Sequence, residues 1–210
     1  MRSDLVALAA ALGLALAPGC REPQAGGGEA VAERFQGVRR QQTAPAAGQS
    51  AFCERSYPAG GEGARRWIAP PERALPGAGE PQGVPGGPAW RWVNLWATWC
   101  APCLEEMELL GRWRDGLSRD GMPVAFDLLS VDEAGREKDL LAWRAKGLPG
   151  RVRWLRSPED LGPLLDSLGV ERDAMIPVHA LVDPAGWLRC VRVGAIHEQD
   201  YAAVRGLLGR

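Results

Sequence analysis

A run of aromatic and apolar residues at 89–97, Ala-Trp-Arg-Trp-Val-Asn-Leu-Trp-Ala, leads within three residues to two cysteines, Cys100 and Cys103, separated only by Ala101 and Pro102. The run has the length of a strand and is dense enough in aromatic and β-branched side chains to be buried on both faces. Leu104, Met107, Leu110 and Trp113 then recur every three or four residues, the spacing of a helix with one apolar face. A helix beginning near Pro102 keeps its proline in the first turn, where no backbone hydrogen bond is lost. The cysteines therefore fall at a strand-to-helix junction, Cys100 near the helix N-cap and Cys103 one turn inside.

The rest of the C-terminal part alternates in the same way. Residues 123–131 read as a second strand ending in Asp132, and residues 135–146 as an amphipathic helix stopped by Gly147. A short strand at 151–155 precedes a helix at 158–168, closed by Gly169. Two strands at 178–182 and 187–193 are joined by Asp183-Pro184-Ala185-Gly186, a strong turn signal, and a last helix spans 198–208. The order β-α-β-α-β-α-β-β-α predicts an α/β domain whose central mixed sheet is flanked by helices on both faces.

Two cysteines at this junction suit thiol–disulfide exchange. Free N–H groups and the helix dipole favour a thiolate at the first cysteine, and such positions lower a thiol pKa from ~8.5 to between ~3.5 and ~7.5. The second, more shielded, is placed to attack a mixed disulfide formed on the first. The same spacing also serves as half of a zinc site. Zinc needs a second such pair, and Cys53 and Cys190 are both isolated.

The stretch from Val93 through Trp99-Cys100-Ala101-Pro102-Cys103 to Glu105-Glu106-Met107 resembles the active-site segment of the thioredoxin superfamily, most of all its TlpA/ResA-like extracytoplasmic branch. The resemblance covers residues 90–205. It implies a thioredoxin-like fold and a membrane-tethered thiol–disulfide oxidoreductase that works as a reductant without a cofactor. Asn94 stands where cytoplasmic thioredoxins carry a buried acid. Glu106 matches a family glutamate that tunes the thiols and helps accept the proton of Cys103; an exposed first-turn glutamate is the alternative. Glu108 departs from the family, which has a helix-kinking proline there, so the bend of this helix stays open. Pro177 matches the superfamily's cis-proline opposite the cysteines. With a cis bond, Ile176 keeps backbone groups for a client strand beside Cys100 and Trp99. A trans proline opening an edge strand is the alternative.

The N-terminal part has a different composition. Of the glycines and prolines, 25 fall in residues 1–89 and 19 in residues 90–210. The apolar run at 5–17 is too short for a membrane span, which needs about 20 residues, and has the length of a secretory signal core. With Pro18-Gly19-Cys20 after it, residues 1–20 resemble a bacterial lipoprotein signal, which implies Cys20 lipidated and the protein anchored on the periplasmic side, an ordinary cleaved signal or an uncleaved anchor being the alternatives. Residues 21–50 read as a flexible tether and 51–89 as a Gly/Pro-rich extension of open structure. The resemblance makes residues 90–210 the expected thioredoxin-like domain.

Some members of the branch carry a second, structural disulfide between the N-terminal segment and this part of the sheet. The resemblance thus implies a Cys53–Cys190 bond, two buried free thiols being the alternative. The implied partners are client proteins with disulfides, among them apocytochrome c and copper-site assembly proteins, and a membrane electron donor of the thiol–disulfide type, with the protein itself a monomer. With 25 Lys and Arg against 26 Asp and Glu the chain has no basic field for nucleic acid. A copper chaperone using Cys100, Cys103 and His179 is the alternative of another class, although such proteins place three residues between their cysteines. His179 otherwise reads as a sheet residue facing core or solvent.

Overall fold

The computed structural model describes residues 52–76 and 89–209. The expected signal segment 1–20 with the expected lipidation site Cys20, the expected tether 21–50 and residues 77–88 of the extension lie outside the described residues.

Among the described residues seven strands form one sheet. They are β1 (Arg55–Ser56), β2 (Arg65–Arg66), β3 (Trp90–Trp96), β4 (Val124–Ser130), β5 (Arg151–Trp154), β6 (Val178–Val182) and β7 (Trp187–Val193). The order across it is β1-β7-β6-β3-β4-β5, and β2 also pairs with β7. β3, β4 and β5 run parallel, while β6 and β7 are antiparallel to their neighbours. The helices are α1 (Ala101–Glu105), α2 (Met107–Arg119), α3 (Glu137–Ala145), α4 (Leu161–Leu168) and α5 (Tyr201–Leu208). This is the mixed α/β sheet with flanking helices that the alternation predicts, and the thioredoxin-like fold that the resemblance implies. β3 lies inside the sheet, and Trp92, Val93, Asn94, Leu95 and Trp96 are all buried. That double-sided burial is why its sequence is nearly continuous in apolar residues.

The helices differ in detail from the periodic reading. Each of α3, α4 and α5 is entered through a single 3-10 turn, at Ala134–Arg136, Pro158–Asp160 and Glu198–Asp200. Apolar spacing does not separate these tighter turns from α-helix. The helix after the cysteines breaks at Glu106, whose φ of -81° and ψ of -11° flatten the turn. The ladder still runs through it, from Glu106 N to Pro102 O at 3.3 Å and from Leu110 N to Glu106 O at 2.9 Å. The break thus forms without a proline. Glu108, at the family's proline position, is an exposed residue paired with Arg112 at 3.0 Å.

α2 packs on the face of β3 that carries Trp92. The Trp92 ring meets Trp113 edge-on at 5.9 Å, stacks on Phe126 at 5.3 Å and takes Phe52 edge-on at 6.0 Å. Phe52 belongs to the extension, which proves to be part of the sheet. β1 and β2 cover the outer edge of β7. At the opposite edge Arg73 N donates to Trp154 O and Arg156 N to Pro71 O, both at 3.0 Å. The extension therefore shields both sheet edges, which would otherwise invite pairing with another chain. It also closes α4. The last carbonyls of a helix have no partner within it. Here Arg65 donates to Asp166 O and Ser167 O at 3.2 Å, Tyr57 Oη to Leu168 O at 2.8 Å and Arg55 Nε to Gly169 O at 3.0 Å.

A disulfide joins Cys53 to Cys190 on β7, with their Cα atoms 5.4 Å apart. A buried carboxylate, Asp127, faces Arg91 at 3.4 Å, Arg151 at 2.8 Å and Arg153 at 3.3 Å, and Glu72 of the extension pairs with Arg153. No helix among the described residues is long and apolar enough to cross a membrane.

Candidate active site

β3 delivers the chain to the site, and the end of β4 fixes how it arrives. After Trp96 the chain turns, with Cys100 N donating to Ala97 O at 3.1 Å. Thr98 donates its amide to both Asp132 oxygens, at 3.1 and 3.0 Å, and its hydroxyl to Oδ1 at 2.7 Å. Asp132 is itself held, since Ser130 Oγ donates to Oδ2 and Trp154 Nε1 to the Asp132 carbonyl, both at 2.7 Å. Sequence reading noted Asp132 only as the end of a strand. Its position at the C-terminal end of a strand beside the cysteine loop was the one available signal.

Cys100 is the N-cap of α1, and its Sγ accepts from Cys103 N at 3.3 Å. Pro102 sits in the first turn, as its missing N–H allows. The two sulfurs are joined, with a Cα–Cα distance of 5.3 Å. Cys103 is fully buried, while Cys100 borders a cleft of about 570 Å3 lined by Trp99, Cys100, Pro102, Val131, Met175 and Ile176. Trp99 is 59% exposed and Met175 80% exposed, so large apolar side chains lie open at this cleft. The Ile176–Pro177 bond is cis, and Cys100 Sγ lies 3.8 Å from Ile176 O. The Pro177 carbonyl is taken by Gly194 N at 2.8 Å.

Behind the pair Glu106 turns inward at 3% exposure, which corrects the alternative of an exposed first-turn glutamate. Its Oε1 accepts from Asn94 Nδ2 at 2.9 Å and its Oε2 from Ile196 N at 3.0 Å. His179, the cross-strand partner of Asn94, is fully buried, and its Nε2 lies 3.4 Å from Glu106 Oε2. Its Nδ1 accepts from Trp92 Nε1 at 3.1 Å. His179 thus faces the core and is engaged with β3 and Glu106. No group of three or more His, Cys, Asp or Glu among the described residues is placed to hold a metal ion. His197 lies elsewhere, its amide donating to Asp200 at the entry to α5.

No protein-family model and no curated protein sequence matches the chain. Solved structures do. A thioredoxin-related protein from Neisseria meningitidis serogroup B is 20% identical over 61% of this chain and 92% of its own, with a TM-score of 0.49. A thiol:disulfide interchange protein of the thioredoxin family from Chlorobium tepidum is 22% identical over 58% and 81%, with a TM-score of 0.44. The thioredoxin domain of a thiol-disulfide oxidoreductase from Bacteroides vulgatus is 18% identical over 59% and 81%, with a TM-score of 0.45.

Proposed function

We propose that this chain is a thiol–disulfide oxidoreductase that reduces client protein disulfides through Cys100 and Cys103. The observation that carries the reading is the dithiol's placement. Cys100 caps a helix at the edge of an open apolar cleft, while Cys103 is buried one turn behind it. In the reduced protein the N-terminal amides of α1 favour a Cys100 thiolate. This thiolate attacks one sulfur of a client disulfide, forming a mixed disulfide and releasing the other client sulfur as a thiolate. Cys103 gives up its proton and attacks Cys100 Sγ. The second client thiolate leaves, two electrons have passed to the client, and the Cys100–Cys103 disulfide has formed. Glu106 serves as the acceptor of the Cys103 proton. The backbone at Ile176, with the open Trp99 face, offers the client an edge and an apolar contact beside the reacting sulfur.

The same reading places the protein outside the cytoplasm, anchored through a lipid on Cys20. It works there as a monomer and is reduced again by a membrane dithiol donor. Such a location suits the second disulfide, Cys53–Cys190, because bonds of this kind persist in oxidising compartments. Clients with buried or transient disulfides, such as apocytochrome c and copper-site assembly proteins, fit this setting. The reduced full chain is expected to reduce insulin disulfides with loss of two thiols per chain, and Cys100→Ser to abolish the reaction. Stoichiometric tight Cu(I) binding with no exchange would overturn the proposal in favour of a metallochaperone.

A further inference from the structure

We propose that His179 is a positioning residue for the exchange reaction, holding Glu106 through a proton fixed on Nε2. The inference rests on the reading of Cys100 and Cys103 as the exchanging pair with Glu106 serving Cys103. Three observations lead to it.

The first concerns the tautomer. Trp92 Nε1 lies 3.1 Å from His179 Nδ1, and an indole nitrogen can only donate. Asn94 Nδ2, a second donor, stands 3.3 Å from the same atom. Nδ1 must therefore present its lone pair, so the neutral ring carries its proton on Nε2. Adding a proton at Nδ1 would set it against the indole N–H. His179 is built here as a donor and not as a base.

The second concerns where that proton points. His179 is fully buried, and among the described residues its Nε2 makes no hydrogen bond. Glu106 Oε2 stands 3.4 Å from it. A donor left unmatched in an interior is costly unless another state of the protein uses it.

The third concerns what Glu106 meets. Its contacts from β3 and from the loop after β7 are Asn94 Nδ2 and Ile196 N, again both donors. Of the titratable groups, His179 reaches it from β6, and Cys103 lies one turn earlier in the chain. The surroundings thus offer the hydrogen-bond set of a carboxylate. On the reading that Glu106 serves Cys103, the Cys103 sulfur is the partner with which the side chain exchanges a proton. With the Cys100–Cys103 bond closed, no proton is in transit and Nε2 stands off. In the dithiol state, His179 Nε2–H closes on Oε2 and aims the carboxylate at Cys103. Catalytic bases are commonly oriented in this way by a third group.

The test uses the full chain and compares wild type with His179→Leu, His179→Gln, Glu106→Gln and the double variant His179→Leu/Glu106→Gln. Insulin reduction is followed against pH, with thermal midpoints measured alongside. Leu removes the donor, which destabilises the carboxylate. The acid limb of the profile should then move up by about one pH unit, or roughly tenfold in rate on that limb. Gln, which keeps an N–H at similar reach, should restore most of it. In the Glu106→Gln background the Leu substitution should change the rate by less than about twofold. A Leu effect of unchanged size in that background, or an unmoved acid limb in a folded Leu variant, overturns the inference. Nitrogen-15 NMR of the reduced wild type gives an answer even if the Leu variant does not fold. A proton on Nε2 alone is expected, and one on Nδ1 or an imidazolium overturns the proposal. If the wild type itself does not reduce insulin, the underlying reading fails and this one with it. An active wild type with indifferent His179 variants sinks only the role of His179.

Discussion

Thr98 gives both its amide and its hydroxyl to the Asp132 carboxylate, tying the loop that presents Cys100 to the end of β4. Because Asp132 is buried, its loss strands several donors at once. Asp132→Ala is expected to cost about 2–3 kcal/mol of stability. It should also slow insulin reduction by roughly tenfold, because the loop sets the direction of the Cys100 sulfur. Thr98→Val keeps the amide bond and loses only the hydroxyl, at a cost of about 1 kcal/mol. Urea unfolding and turnover measured on both variants check the order. Equal effects from the two would show that the carboxylate does not organise the loop.

Cys53 and Cys190 close a loop of 137 residues in sequence separation and fix the start of the extension to β7. The chain-entropy account gives such a loop up to about 4–5 kcal/mol. The double variant Cys53→Ala/Cys190→Ala should unfold at lower denaturant, by about 2–5 kcal/mol, and still reduce insulin when folded. Loss of turnover in the folded variant would mean that this bridge takes part in the chemistry.

Gly169 ends α4 with φ at +74°, and a Cβ there would run into the Tyr57 hydroxyl, the group that caps Leu168 O. Gly169→Ala thus meets two penalties, a left-handed backbone and a displaced cap. Together they should amount to about 2–3 kcal/mol. Tyr57→Phe alone should cost about 1 kcal/mol, and adding it to Gly169→Ala should cost less than the sum, since the hydroxyl is then already gone. Thermal melts of the three variants give the answer, and strict additivity would exclude the contact.

How much of this was legible depends on how far apart the partners lie. β3 was readable because burial on both faces leaves an unbroken apolar run. The helix stops at Gly147 and Gly169 were readable because a positive φ favours glycine. Cys100 and Cys103 stood out because their chemistry needs residues three apart. The assembly of Asn94, Glu106 and His179 was not readable as a unit, since Asn94 and His179 are 85 residues apart and meet only through the β3–β6 register. β1 and β2 are two residues each, too short for any periodicity, and they exist because β7 offers them an edge. Asp132 could be seen as a strand end but not as the anchor of Thr98.

Asp127 gives the molecule a pH dependence of unusual sign. Burial raises its carboxyl above the ordinary 3.8, outweighing the attraction of Arg151 and Arg91. The folded chain therefore takes up this proton at a higher pH than the unfolded chain does. Between 3.8 and the raised value the native state binds more protons, so this group adds stability as pH falls through that window and withdraws it as pH rises. Asp127 thus works against acid unfolding. Asp127→Asn removes that contribution and leaves Arg91, Arg151 and Arg153 facing a neutral group. Because burial outweighs the arginines, the charged carboxylate contributes unfavourably above its raised pKa, so the neutral variant should be at least as stable as wild type at pH 7. Its stability should also fall more steeply than that of wild type just above pH 4. Denaturant titrations at a series of pH values measure both. A shallower acid slope in the variant would show that the arginines, and not burial, dominate the carboxyl.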